Sequence, residues 1–239
     1  MRKYYLAKDV HVCAIDESAV FLNLHSNQYL AVSSDDLACL SERVEGFSSL
    51  LDAPLRKQFN EASGDELIGS LVKRGVLTDS PSIGQTAART TVSASRAISP
   101  GHARRASRRI RLSHTIHFFW CLSYVLFNLR LQRLPSIITK IRKLRASSVD
   151  VPGPVDSDAI RELLGIFRRL RTFAYTARGA CLLDALVLTY FMHCYGVGPT
   201  FIMGLRTKPF LAHAWVQVGD CILDDRIESI QNLTPILAV

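Results

Sequence analysis

Seventy consecutive residues, 80–149, carry thirteen Lys and Arg and no carboxylate. Residues 1–79 hold 8 basic and 12 acidic side chains, and residues 150–239 hold 8 and 9. This layout describes two near-neutral blocks joined by a basic connection, and the net charge of +8 belongs to that connection. The two ends are globular in composition. With 48% apolar and 21% charged residues overall, the chain is not wholly disordered, collagenous or built of repeats. A basic surplus ordinarily suggests nucleic acid or an anionic surface. Arg104, Arg105, Arg108 and Arg109, however, have no interleaved aromatic residues and no motif of a nucleic-acid-binding fold beside them, so no nucleic-acid partner is expected.

The N-terminus, MRKYYLAKDV, lacks an apolar core and carries Asp9, which does not fit a secretory signal. The longest apolar run, Ile116 to Leu129, is 14 residues, against about 20 for a bilayer span. A cytoplasmic protein without a transmembrane segment is expected. Cys13, Cys39, Cys121, Cys181, Cys194 and Cys221 form no C-x-x-C pair, so reduced thiols are expected. His193 beside Cys194 lacks metal-ligand spacing, and no Walker-type phosphate loop is present. Neither metal nor cofactor is expected.

Short β-like stretches at 10–15, 19–24 and 28–33, separated by Asp16-Glu17-Ser18 and His25-Ser26-Asn27, predict a three-stranded meander. Ser34 or Asp35 then caps a helix reaching about Val44, with Leu37, Leu40 and Val44 on one face. A second helix is expected over 48–59. Ser63 starts a third, through Lys73, with Leu67, Ile68 and Leu71 apolar and Gly75 as its stop. Strands followed by helices make a small α+β, winged-helix-like unit.

Residues 5–80 resemble, in their order of elements, the PqqD-like domains that recognise the precursors of ribosomally made peptides. The resemblance implies a leader-peptide recognition domain over 1–80. A leader would pair with the third strand at Gln28, Tyr29, Leu30, Ala31 and Val32, and the third helix, which carries Leu71, would wall the groove.

Residues 81–109, rich in Ser, Ala, Thr and Arg, read as a flexible basic linker because they offer too little apolar surface to offset ordering entropy. A second domain is then expected over 110–239. Helices are predicted at 113–131, apolar almost all round and therefore buried, at 136–145 with Ile137, Ile138, Ile141 and Leu144 on one side, and from about Asp156 to Arg171.

The stretch 178–225 carries the chemistry. A helical run from Cys181 to Cys194 places Cys181 in the first turn, where the helix N-terminus favours a thiolate. Strands follow at 199–205, at 210–218 containing His213, and at 221–225. With a three-residue loop between the last two, Asp225 faces His213. With a two-residue loop, Asp225 moves to the other face and Asp224 becomes the diagonal neighbour. Cysteine catalysis needs this set: a thiolate, a histidine that exchanges its proton, and an acid that fixes the histidine tautomer.

The order Cys, His, Asp on a helix and paired strands resembles the transglutaminase-like, papain-related fold, with helices packed on a small antiparallel sheet. More closely, GACLLDAL (179–186) and AHAWV (212–216), with an Asp twelve residues after the His, resemble the lasso-peptide maturation B proteins, which are leader peptidases. The resemblance covers about 113–239. It implies Cys181 as nucleophile, His213 as general base and acid, and Asp225 as its partner. It also implies a precursor peptide as substrate, cut behind a threonine, and an asparagine-synthetase-like cyclase as partner. The alternatives are a non-catalytic scaffold that presents the precursor to other enzymes, and acyl transfer to an amine by the same residues.

Overall fold

The computed structural model describes residues 2–51, 61–98, 109–147, 158–176 and 179–239. It is a mixed α+β structure that divides into two units, residues 1–91 with 207–209 and residues 92–206 with 210–239.

In the first unit, β1 (Tyr5–Leu6) leads into β2 (Val10–Ile15), β3 (Ser18–Asn23) and β4 (Gln28–Val32). The last three form an antiparallel meander in which β4 lies at one edge. Its tight connections are made by Asp16, Glu17 and Asn27 at positive φ, residues whose short polar side chains suit such turns, Glu17 excepted. Helix α1 (Leu37–Arg43) follows a single 3₁₀ turn, Ser34–Asp36, so it starts later than either expected cap. The helix expected at 48–59 begins as a 3₁₀ turn, Phe47–Leu50, and 52–60 lie outside the described residues. Helix α2 (Glu61–Lys73) ends at Gly75, whose φ of 67° lets the Val76 N–H reach back to the Leu71 carbonyl. Strand β5 (Leu77–Thr78) then pairs with β1, an addition too short to register as a periodic pattern. Phe21, Leu40, Phe47, Ile68 and Leu71 lie in the core between the sheet and the helices.

The expected linker is corrected over 80–98. Gln85 exchanges backbone hydrogen bonds with Leu6, and its side chain donates to the Val10 carbonyl at 2.5 Å. Ala87 donates to the Glu45 carbonyl and is buried, while Arg89 donates to the Leu50 carbonyl at 2.6 Å. Gly46, at φ 76°, leaves room for this passage, since a Cβ there would stand 2.3 Å from the Ala87 carbonyl oxygen. Farther on, β6 (Arg96–Ile98) belongs to the second unit and pairs there in parallel with residues 221–223. Backbone pairing ordered a polar sequence that composition alone left free. Residues 99–108 lie outside the described part.

The second unit contains α3 (Leu112–Arg130), α4 (Leu134–Ser147), α5 (Asp158–Ala174), α6 (Cys181–His193), β7 (Thr200–Thr207), β8 (Phe210–Val218), β9 (Cys221–Leu223), α7 (Ile227–Ile230) and β10 (Thr234–Ala238). The sheet order is β10-β7-β8-β9-β6. Its parallel β6 edge makes the sheet mixed instead of wholly antiparallel as expected. Helix α6 is buried continuously from Ala185 to Met192, as an all-apolar helix must be, and packs against α3, α4, α5 and β8. Tyr190 donates to the Ile137 carbonyl of α4 at 3.1 Å. Phe118, Phe167 and Phe191 join α3, α5 and α6 through ring contacts of 5.6 to 6.4 Å between centroids.

The expectation that α3 is buried all round is corrected. Phe118, Cys121, Leu122 and Val125 are buried, whereas Phe119, Trp120 and Phe127 are exposed. The helix lies on the outside of α6 and needs only one face to cover it.

Candidate active site

Cys181 opens α6 immediately after Gly179, at φ 79°, and Ala180 as N-cap. Helix α6 is fixed by burial, so the thiol is held against β8, the strand that carries His213. Gly204 on β7 lets the sheet close over the Trp215 ring: a Cβ at 204 would lie 2.8 Å from that ring. Trp215 in turn stacks with His213, with centroids 6.3 Å apart and planes 15° apart. Its indole N–H donates to Gln217 Oε1 at 3.3 Å.

His213 Nε2 lies 2.5 Å from Asp225 Oδ2. This leaves Nδ1 available to Cys181, the other group that acts on the imidazole. Bonds to Asp225 and then to Cys181 raise the His213 pKa to about 9 against the opposing effect of burial. The bond from His213 lowers the Cys181 pKa; burial opposes this, and the backbone N–H groups of Ala214 and Leu182 add to it. Burial disfavours charge on Asp225, but hydrogen bonds from His213, the Arg226 N–H at 2.7 Å and Ser229 outweigh it, so its pKa is lowered. The three groups together favour a thiolate–imidazolium pair beside a carboxylate.

The register decides between the two loops. Val218 pairs with Cys221 and Val216 with Leu223, so Gly219-Asp220 is a two-residue turn. Continued pairing would send Asp225 to the wrong face. The strand instead stops at Leu223, Asp224 takes a left-handed φ of 61°, and Asp225 swings to His213.

Asp224 has another role. It is 3% exposed and accepts hydrogen bonds from Arg168 and from Arg171 Nη1, the latter at 2.5 Å. Arg171 also binds Asp184 at 2.5 Å, and Asp184 accepts from the Tyr175 hydroxyl at 2.8 Å. Arg168 further donates to the Ile98 carbonyl at 2.8 Å. This network ties α5, the first turn of α6 and the bend after β9 into one piece, and so it sets the separation of the residues on either side of the site. Reading the sequence missed it. The available signal was Asp184, a carboxylate inside an otherwise apolar helix, which needs a buried partner.

Cys121 and Cys194 stand with their sulfur atoms 3.8 Å apart. The contact with Cys121, opposed by burial and aided by Lys140, lowers the Cys194 pKa to about 7. Among the described residues, no group of three or more His, Cys, Asp or Glu could hold a metal ion. None of the described helices is long and apolar enough to cross a membrane.

The remaining expected site residues belong to the first unit. Gln28, Tyr29, Leu30, Ala31 and Val32 do form β4. Gln28 and Ala31 are exposed, Tyr29 and Leu30 half-buried, and Val32 is buried. Leu71 is 2% exposed in the core and cannot line a surface groove, because the third helix turns this residue onto the sheet; Val72 beside it is exposed.

The structure thus brings together a cysteine at a helix start, a histidine on a strand and the carboxylate bonded to that histidine. Residues 121–238 match the model of the transglutaminase-like superfamily and form a domain of that superfamily. No curated protein and no solved structure matches the chain significantly.

Proposed function

We propose that the chain is a cysteine leader peptidase of lasso-peptide maturation, with Cys181 as nucleophile, His213 as general base and acid, and Asp225 as the residue that orients His213. The observation that carries the cysteine-peptidase reading is that His213 is bonded to Asp225 and interacts with the Cys181 thiol, lowering its pKa, in a transglutaminase-like domain. The lasso-peptide assignment draws on the GACLLDAL and AHAWV motifs.

The thiolate of Cys181 attacks the scissile carbonyl carbon, and the tetrahedral oxyanion accepts a hydrogen bond from the Cys181 N–H, one of the free donors of the α6 N-terminus. The imidazolium of His213 gives its Nδ1 proton to the leaving amine as the C–N bond breaks. The amine departs with the core peptide, and the leader remains as a thioester on Cys181. His213, now neutral, takes a proton from water; the resulting hydroxide adds to the thioester, and expulsion of the thiolate restores the ion pair. Asp225 keeps the Nε2 proton in place and stabilises the imidazolium without accepting that proton.

In this reading the first unit recognises the leader and the second cuts, with an asparagine-synthetase-like cyclase closing the ring on the freed amine. Leader pairing along the outer edge of β4 supplies affinity, and tethering raises the effective concentration of the cut site. Incubation of the full chain with the precursor, followed by mass spectrometry, tests it. Release of the intact leader by wild type, and its loss in Cys181→Ala and His213→Ala, are expected. Cleavage by Cys181→Ala at the wild-type rate would sink the catalytic assignment. Retained leader binding with no cleavage by wild type would favour a scaffold.

A further inference from the structure

Helix α3 presents an apolar stripe that the fold leaves uncovered. Leu112, Ile116, Phe119, Trp120 and Phe127, with Leu131 at the C-cap, are all exposed, Trp120 at 71% and Phe127 at 62%. At 3.6 residues per turn these positions fall on one side of the helix along its full length. The opposite side, Phe118, Cys121, Leu122 and Val125, is buried. Isolated exposed apolar residues are ordinary, but a contiguous apolar stripe along a helix marks a contact surface.

The charges around the stripe select what it contacts. Residues 109–147 contain eight Lys and Arg and no carboxylate. Arg109 and Arg111 stand at one end of the stripe and Arg130 and Arg133 at the other, all exposed. Arg130 is five turns from Leu112 and lies on the same line. The neighbouring α4 adds Lys140, Arg142, Lys143 and Arg145. Of the acidic residues on the elements packed against α3, Glu162 of α5 acts on His114, on the buried side, Asp184 of α6 is bound by Arg171 and Tyr175, and Asp158 stands in the first turn of α5. A second copy of the chain would bring two acid-free basic surfaces together, and their repulsion disfavours it. A flat surface that is negative outside and apolar just beneath fits both features, because aromatic groups enter the headgroup boundary while arginines remain at the phosphates.

We propose that α3 is an interfacial helix that seats the second unit on an anionic phospholipid surface, lying in its plane without crossing it. The proposal is independent of the catalytic reading and survives if the site proves inactive.

The two tryptophans provide the test. Trp215 is 4% exposed and serves as a constant background, while Trp120 sits mid-stripe. The full chain is titrated with vesicles of phosphatidylcholine alone or with about one third phosphatidylglycerol, an anionic fraction that attracts basic segments. Expected are a shift of emission to shorter wavelength and co-sedimentation with the anionic vesicles only, both weakened by salt. Phe127→Glu, a substitution at an exposed site, and the pair Arg130→Glu with Arg133→Glu should each weaken binding by about tenfold or more. The absence of any shift with anionic vesicles overturns the proposal, as does undiminished binding by both variants. A lipid-free dimer that Phe127→Glu dissociates would overturn it in favour of self-association.

Discussion

Asp225 Oδ2 lies 2.5 Å from His213 Nε2, although the β8–β9 register alone would place Asp225 on the opposite face of the sheet. The contact exists because pairing ends at Leu223 and Asp224 turns the chain at positive φ. Asp224 holds that bend through Arg168 and Arg171. Adjacent aspartates thus divide the work: one carboxylate builds the turn and the other serves the histidine.

The division separates stability from chemistry. Asp224→Ala leaves two nearly buried guanidinium groups without their shared carboxylate and should cost about 3–5 kcal/mol, read as a fall in the urea midpoint. Asp225→Asn weakens the bond to His213 and should cost less stability than Asp224→Ala, while slowing acylation of Cys181 by roughly 10²- to 10⁴-fold, read as precursor turnover. Equal melting of both variants would remove the structural role assigned to Asp224.

Alkylation of Cys181 gives a pH profile that needs no substrate. Its rate in wild type should reach half-maximum below pH 9.0, the ordinary thiol value, because His213 lowers the Cys181 pKa. In His213→Ala the midpoint should move up toward that value. Identical profiles would show that no ion pair forms.

The same coupling enters stability with a definite sign. The folded pKa of His213 is raised from 6.5 to about 9, so its contribution is fully present below pH 6.5, declines between 6.5 and about 9, and is absent above. Asp225 has a lowered pKa, and its contribution is lost as pH falls below its ordinary value of 3.8. Melting temperatures across pH 6–10, compared with those of His213→Ala, should show the wild-type advantage shrinking as pH rises. A constant difference would contradict this.

Two thiols, not one, should react quickly with iodoacetamide at neutral pH. The pKa of Cys194 is lowered to about 7 and that of Cys181 is lowered as well, whereas burial pushes Cys13 up to about 12, and the bond to Cys194, followed by burial, raises Cys121. Peptide mapping after brief labelling should therefore find Cys181 and Cys194 modified and Cys13, Cys39, Cys121 and Cys221 protected. Labelling confined to one site would exclude the reactive pair at the far end of α6.

Gly204→Val should displace the Trp215 ring, which approaches within 2.8 Å of the site of a Cβ. An overpacking cost of about 1–3 kcal/mol is expected. Because Trp215 stacks on His213, the substitution should also slow Cys181 alkylation. A stable variant with wild-type alkylation would show that the stack does not hold the imidazole.

Much of the fold was legible locally. Alternation at 10–32 and the turn residues between its strands identified the meander, and the apolar run after Cys181 identified α6 to within one residue at its end. The candidate site residues were legible by type and order: a cysteine at a helix start, then a histidine on a strand and an aspartate beyond the end of the next. The burial of α3 was misread because composition cannot distinguish a helix covered on every side from one with an apolar face turned outward. Residues 80–98 were misread because their order comes from backbone pairing with distant segments, to which side-chain hydropathy is blind.

The sequence by itself determined which residues could carry chemistry, because thiol, imidazole and carboxylate reactivity belongs to residue type and helix position is written in local periodicity. Tertiary structure alone decided which aspartate meets His213, that Asp184 and Asp224 are bound through Arg171, and that α3 keeps one aromatic face outward. Each of these depends on where a strand stops pairing or on which distant surface covers a helix. Such outcomes are set by contacts between segments far apart in the chain, and no local pattern encodes them.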